Sequence, residues 1–582
     1  MRRTPITNQP LAIERAPDKP VHASQKAPIK RSPLSFVLPS IGSIVFSALL
    51  LGVILLGQNA IPGSDDAAAL SLRLGNDMLL RGGLVPTNTL TSVGYGQPLV
   101  AWEWLSDLIF AGSWRLFGLN GLLGLVGLIV ALTALLLLRA VRRRGTPLLL
   151  ALPISAAALA ITSVAWQASP RIFSLLLALW WCEQLWAYWQ SSSERRLWLL
   201  PFALALWANL DGGYVAGLIL LGTAAVLVWV FPGAASTRQV DARRWQLTRA
   251  LIACLLAALL TPWGVAGLLA NSTFFTSGTA AGQAGNTISP DMYQLSGQLF
   301  LILLLLLGAC GVLRGWLAGG RAAHPAELGA REGERRLAQL ANREPGALGW
   351  AFAGVFTVLA FFSPYFLALW GLIVAPILGR ELTSWAAEWA SADMNTRLTR
   401  LCHALFRRSG RLEALESRRW RSGLLSALAG VFVIVLLVNS GAFPGARTPL
   451  LNAHFSSAAL PVEAVQAIQH GNIPGNALPG GAGFTVLEWS HYLEWTLPNH
   501  PVMIDARTDL FDESTLHDYQ RLLNGESGWN QIITTYGIRW LLIPTTAPLA
   551  QVIVLAQGWL CQEIDTQHLA LLCVPAPSAP IT

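Results

Sequence analysis

The chain has 582 residues, of which 53% are apolar and only 12% charged. That is more apolar surface than a water-soluble core can hide, so the sequence reads as an integral membrane protein. A net charge of +8 would suit a nucleic-acid binder. The arginines, however, stand beside apolar runs, the pattern of cytoplasmic loops, and nucleic acid is excluded as a partner.

In chain order, residues 1–34 are polar and basic and lead into a long apolar run without a small-x-small cleavage site. This is the pattern of a cytoplasmic tail before an uncleaved signal anchor. Eleven spans are predicted, at about 35–57, 119–138, 147–166, 172–190, 197–210, 214–231, 250–269, 298–313, 347–362, 364–379 and 423–441. The charge-free run Pro345–Gly379 would measure about 52 Å as one helix, so it is predicted to break at Ser363-Pro364 into a hairpin. The run 197–232 is interrupted by Asp211-Gly212-Gly213 and forms a second hairpin with Asp211 at its tip. Segment 101–117 is amphipathic but carries Glu103, Asp107 and Arg115. If it spanned the membrane, Arg142, Arg143 and Arg144 would be pushed outside, so it is predicted to lie on the outer surface. With the N-terminus inside, 32 of the 40 basic residues are cytoplasmic. Arg73, Arg81, Arg115 and Arg171 lie in outer loops, and four more lie in the C-terminal domain, a split that sets the orientation.

From about 442 the composition changes. The β-rich runs FTVLEW, PVMID, RWLLIP and LALLCV alternate with the helical segments PVEAVQAIQ and ESTLHDYQRLL, as in a small α/β domain. The expected organisation is a cytoplasmic tail (1–34), a transmembrane domain (35–441) with its outer loop and interfacial helix at 58–118, and an extracytoplasmic α/β domain (442–582). Cys561 and Cys573 flank a hairpin there. They pair if the domain is extracytoplasmic, although two buried thiols are the reading preferred here. His491 and His500 are expected at the surface, Asp505 and Arg507 in a strand-end turn, and Glu183 against a structural partner inside its span. The tryptophans read as interfacial anchors.

Chemistry concentrates between Gln58 and Gly118. Asp65, Asp66, Glu103 and Asp107 collect there with Arg73, Arg81 and Arg115, on a face otherwise poor in charge. A lipid-linked anionic substrate presents phosphate at the membrane surface, where arginines hold it by charge-assisted hydrogen bonds. A carboxylate takes a proton from an acceptor hydroxyl or holds a divalent cation such as Mg2+ or Mn2+. Asp65 and Asp66 are placed for the second task, Arg73 and Arg81 for the first. No glycine-rich nucleotide loop is present in the sequence, which argues against a nucleotide-sugar donor.

The stretches DDAAALSLRLG (65–75), LVPTNTLTSVGYGQP (84–98) and WEWLSDLIFAGSWRLFGLNGL (102–122) resemble the first-loop pattern of bacterial GT-C glycosyltransferases. The likeness is to members related to the protein mannosyltransferases and aminoarabinose transferases. SPRIFSLLLALWW and WANLDGGYVAG agree with it. The run from EWSHYLEW through MIDARTDLF to GIRWLLIP resembles the soluble tail of an uncharacterised bacterial branch. The resemblance implies a GT-C-like polytopic helical fold in the bacterial inner membrane. It also implies a polyprenyl-phosphate sugar donor and a glycan, lipid or protein acceptor. Asp65 matches the loop acid that acts as base or metal ligand, with Asp66 beside it, and Glu103 matches the acid of the interfacial helix. Arg73, Arg81 and Arg171 would bind phosphate, and Glu103 and Asp211 would position substrate.

Several positions depart from the pattern. Ala67 replaces the second acid of Asp-x-Asp, Ser71 a histidine, Asn88 an acid and Asp211 a histidine, while Arg171 follows Pro170 instead of preceding it. Either the site is rebuilt for another substrate or catalysis is lost. The second case leaves a non-catalytic membrane scaffold or a handler of lipid-linked intermediates. A secondary transporter predicts midplane polar residues, of which Glu183 is essentially the only one.

Overall fold

A computed structural model describes residues 39–58, 67–191, 193–230, 237–268, 289–321, 346–391, 396–419, 423–439, 451–474, 476–565, 567 and 570–576. The basic tail, Asp65 and Asp66 lie outside the described residues.

Each of the eleven predicted spans overlaps a helix, in whole or in part. They are α1 (Ile41–Leu56), α4 (Leu119–Arg143), α5 (Leu148–Ile161), α6 (Arg171–Ser191), α7 (Glu194–Leu210), α8 (Tyr214–Val230), α9 (Thr237–Ala257), α10 (Leu295–Arg321), α11 (Gly346–Phe362), α12 (Pro364–Ser391) and α14 (Leu424–Asn439). Between them lie α2 (Ala67–Arg81), α3 (Trp104–Phe117) and the basic, amphipathic α13 (Arg397–Arg419). Among the described residues, four segments are long and apolar enough to cross a membrane: Leu119–Arg143, Leu148–Ala165, Leu295–Arg314 and Pro364–Ala390. Four shorter apolar helices accompany them.

Both hairpins form. Ser363 separates α11 from α12, because Pro364 cannot continue a helix inherited from its N-terminal side but can begin one. Asp211 ends α7 in extended geometry before α8 begins at Tyr214. Two boundaries differ from expectation. Helix α12 runs twelve residues beyond Gly379, because Glu381, mostly buried, is paired with Arg314 at 2.8 Å. Helix α9 begins before its apolar run and stops at Ala257, ahead of the turn at Thr261-Pro262-Trp263-Gly264, where Gly264 takes a φ of +52°.

The bundle packs around α12, and Leu367 to Leu378 line its core. Trp181, Trp207 and Trp370 are completely enclosed in that core, so these three are packing residues and not interfacial anchors. Trp198, Trp229 and Trp245 remain exposed.

The C-terminal domain builds a four-stranded sheet of order β1 (Ala482–Thr485), β2 (Ile538–Pro544), β4 (Ala570–Pro575), β3 (Trp559–Asp565). The β1–β2 pair is parallel and the other two pairs are antiparallel. Alternation along β2 sends Trp540 and Leu542 to one apolar core and Leu541 and Ile543 to another. Four helices of this domain are α15 (Val462–Gln469), α16 (Leu487–Thr496), α17 (Glu513–Leu523) and α18 (Trp529–Thr535), followed by α19 (Pro548–Ile553). Of the predicted strands, FTVLEW is only half extended, since Leu487 already starts α16. PVMID forms single bridges at Val502 and no strand. The strand Trp559–Asp565, absent from the β-rich runs named above, forms the first arm of the expected hairpin. It places Cys561 directly across from Cys573, and the two form a disulfide, correcting the expectation of buried thiols.

Candidate functional site

The first loop is clasped between the bundle and the C-terminal domain. Helices α2 and α3 touch backbone to backbone at Gly75, where a Cβ would lie 2.0 Å from the Asp107 carbonyl oxygen. Residues 85–99 fold back on themselves: Asn88 N donates to Gln97 O at 2.8 Å and Leu99 N to Pro86 O at 2.9 Å. Their tip pairs with the C-terminal domain through Ser92 N to Val502 O at 2.8 Å and Val93 N to Met503 O at 3.1 Å. Two side chains then fix α3 over the α7–α8 tip. Trp104 Nε1 donates to Asn209 Oδ1 at 2.7 Å, and the Ser106 hydroxyl donates to the Leu210 carbonyl.

That docking brings Glu103 against Asp211. The two carboxyls are in hydrogen-bond contact, with Asp107 and Arg171 close enough to act on Glu103 electrostatically. Asp211 is buried and accepts from the Ser174 hydroxyl and, at 3.3 Å, from Tyr365 Oη. Trp207 Nε1 donates to Ser174 Oγ at 2.6 Å and so orients that hydroxyl. Gly213 has no room for a side chain, since a Cβ would sit 1.7 Å from Tyr365 Oη and 2.5 Å from Asp211 Oδ2.

The electrostatics follow from burial. Loss of solvent, then the charges of Asp211 and Asp107, hold the Glu103 carboxyl well above the usual carboxylate range against the opposing pull of Arg171. Burial pushes Asp107 up to about 8, although a hydrogen bond with Ser71 and the charge of Arg507 act against it. Glu103 therefore holds its proton more readily than an exposed carboxyl does, with the Asp211 side chain in hydrogen-bond contact beside it. Two carboxylates in contact and short of positive charge also suit a divalent cation, for which Glu103 and Asp211 would be ligands.

Of the seven residues singled out from sequence, the structure brings three together: Glu103, Arg171 and Asp211. Arg73 stands apart on α2, where its guanidinium pairs with Asp77 at 3.1 Å and donates to the Glu494 carbonyl at 3.0 Å. Arg81 ends α2 in an exposed position. Sequence reasoning left Ser174 and Tyr365 unassigned, because their partner Asp211 lies 37 and 154 residues away. It also gave Asp107 no role, although this residue lies one turn after Glu103 on the same face of α3.

Arg507 joins the C-terminal domain to this region. It grips Asp505 through Nε at 2.9 Å and through Nη2, and Nη2 also donates to Asn88 Oδ1 at 3.2 Å. The expected Asp–Arg turn is present and faces the first loop. Glu183 meets structural partners, as expected: Arg144 at 2.7 Å and Arg143 at 3.6 Å.

No family model and no curated protein matches the chain. Two solved structures are similar to it. One is the archaeal oligosaccharyltransferase AglB from Archaeoglobus fulgidus in complex with an inhibitory peptide and a dolichol-phosphate, and the other is the oligosaccharyltransferase of that organism in the apo form. Each aligns with a TM-score of 0.47 and 10% identity, covering 86% and 87% of this chain and 69% of the other.

Proposed function

We propose that the protein is a GT-C-type membrane glycosyltransferase that moves a sugar from a polyprenyl-phosphate donor to a glycan, lipid or protein acceptor. The reaction is assigned to the extracytoplasmic face of a bacterial inner membrane. The observation that carries this reading is the Glu103–Asp211 carboxyl pair beside Arg171, with Asp211 buried, held at the bundle end that the C-terminal domain covers. In this scheme the acceptor hydroxyl attacks the anomeric carbon and the sugar–phosphate C–O bond breaks. The hydroxyl proton passes to a carboxylate, and the lipid phosphate leaves as an anion. Asp65 is the proposed base or metal ligand with Asp66 in support, while Glu103 and Asp211 position the reacting groups. Arg171 and Arg81 receive the phosphate, and Arg73 adds charge from α2. A Mg2+ or Mn2+ ion, where bound, supplies phosphate neutralisation.

One observation favours a second reading. Ser71 and Asn88, two positions that depart from the family pattern, are engaged by Asp107 and Arg507 in structural contacts. This suits a non-catalytic component that handles lipid-linked intermediates. Transfer of radiolabelled sugar from polyprenyl-phosphate donors by purified protein in lipid separates the two. The transferase reading expects turnover that collapses in Asp65→Asn, Asp66→Asn or Asp211→Asn while donor binding persists. Absence of turnover across a broad donor and acceptor panel, with donor binding intact, selects the non-catalytic component.

A further inference from the structure

We propose that His491, Glu494 and Asp505 form a binding site for one divalent transition-metal ion of the Zn2+ or Mn2+ type, which pins helix α16 to the segment leading into Arg507. This site belongs to the C-terminal domain and is separate from the Glu103–Asp211 pair.

His491 and Glu494 stand three residues apart on α16 and therefore share one face of the helix. Asp505 reaches the same point from the segment 501–504, which is bridged to β1 through Val502 and Gly483. One donor atom from each of the three residues lies within 4.8 Å of the others. His491, expected at the surface, is instead 4% exposed, with Glu494 at 3% and Asp505 at 0%. A dry cluster of this composition differs from an acidic surface patch, where water solvates each carboxylate.

The second observation is the state of Glu494. Both of its carboxylate oxygens are sealed from solvent, and neither accepts a hydrogen bond from an N–H or hydroxyl group. The group in hydrogen-bond reach is the Asp505 carboxyl, which as an anion has no proton to offer. Two buried carboxylates side by side need either a cation or a proton between them. Arg507 meets that need on the Asp505 side, where its guanidinium is engaged; Arg507 and His491 also act on Glu494, but neither makes a hydrogen bond to its carboxylate oxygens. The wider surroundings are short of cations in the same way. Asp107, Asp211, Glu494 and Asp505 are buried and Glu103 is partly buried, and among the described residues the cations acting on the Glu103, Asp107 and Glu494 carboxyls are Arg171, Arg507 and His491.

The donor set identifies the ion. One imidazole nitrogen with two carboxylate oxygens suits Zn2+ or Mn2+, whereas Ca2+ and Mg2+ favour all-oxygen shells. Binding at about 2.0–2.2 Å per ligand needs the three side chains to draw together slightly from their present spacing. The backbone of Glu494 also accepts from Arg73, and Asp505 holds the arginine that reaches Asn88. An ion here thus stiffens both links from the C-terminal domain to the first loop.

The experiment uses the full-length protein without a histidine tag, purified in detergent, with bound metal measured by mass spectrometry. The expected result is about one Zn2+ or Mn2+ per chain. Chelation should lower the melting temperature by several degrees, and adding the ion back should restore it. Glu494→Gln should lose the metal and melt lower, while His500→Ala, which alters a neighbouring histidine, should keep it. A metal-free wild-type protein whose melting does not respond to added Zn2+ or Mn2+ overturns the proposal. So does a Glu494→Gln variant that melts at or above wild type, since the amide then mimics a protonated Glu494 and a proton fills the gap. If Glu494→Gln fails to fold, the wild-type metal content decides.

Discussion

The two ends of the helical bundle use the same residue types in different proportions. At the end carrying Arg144, the partly buried Glu183 and the buried Glu381 each have an arginine. Glu183 sits between Arg143 and Arg144, Arg144 also lies 4.5 Å over the Trp186 ring, and Glu381 faces Arg314. At the opposite end Glu103, Asp107 and Asp211 crowd together, and Arg171 and Arg507 act on them from the side. A matched ion pair is a fastening, whose removal leaves a buried charge stranded. An unmatched carboxylate cluster retains protons near neutral pH and has uncompensated charge to offer a substrate or an ion. On the proposed reading, the first end fastens the bundle and the second carries the chemistry.

The sharpest way to break this contrast is to neutralise one acid at each end. On the proposed transferase reading, Asp211→Asn and Glu103→Gln, which disturb the positioning of the reacting groups, should each lower sugar transfer by about 10²-fold. Glu183→Gln should leave turnover within a few-fold of wild type in protein that remains folded. Equal losses at both ends would mean that the unmatched cluster has no special role.

Stability should respond in the opposite sense. Glu183→Ala strands Arg144, whose side chain is 7% exposed, and should cost about 3 kcal/mol in thermal or chemical unfolding. Gly213→Ala should cost about 1–3 kcal/mol by overpacking Tyr365, Ser174 and Asp211. Gly222→Ala, on the helix α8 that follows the tip and with open space around it, should be neutral or slightly stabilising. A Gly213→Ala protein with unchanged melting and unchanged turnover would show that the tip is looser than its geometry indicates.

Much of the fold could be read from the chain because local rules decide it. Apolar runs of membrane length located the helices, the Ser363-Pro364 and Asp211-Gly212-Gly213 breaks located the hairpins, and the charge on 101–117 removed it from the spans. Of the residues singled out for chemistry, the structure brings together Glu103, Asp211 and Arg171, each of which carries its own signal in the sequence. Tyr365 and Ser174 are ordinary residues in apolar helices until folding delivers Asp211 to them. His491 looked like a surface histidine because its i, i+3 relation to Glu494 matters only when that face of α16 turns inward. Cys561 and Cys573 flank the expected hairpin, but only the register of β3 against β4 sets them directly opposite each other.

The pH dependence of stability tests the unmatched cluster more gently. Asp107 has its ordinary value of 3.8 when unfolded and is pushed up to about 8 when folded, mainly by burial. The folded state holds this proton more tightly. Its contribution is therefore complete below about pH 4 and is lost as the pH rises through about 8. Melting in detergent should fall across that window in wild type, and Asp107→Asn should flatten the part due to this group. An Asp107→Asn profile that superimposes on wild type would show that Asp107 is ionised in the folded protein and that the cluster is better compensated than its arginines suggest.

The smallest expected effect comes from Asn88, where the two regions meet. Its Oδ1 accepts from Arg507 and from Leu90 N, and its Nδ2 donates to Thr91 Oγ1 at 2.6 Å. Asn88→Asp keeps the acceptor and strengthens the contact with Arg507, but turns an oxygen toward a Thr91 hydroxyl already donating to Val93 O. The two changes oppose each other, so melting should shift by no more than about 1 kcal/mol. Turnover is the informative readout. If position 88 only links the loop to the C-terminal domain, transfer stays unchanged, whereas a large gain would mean that the reacting site extends to Asn88 and that its missing acid limits the enzyme.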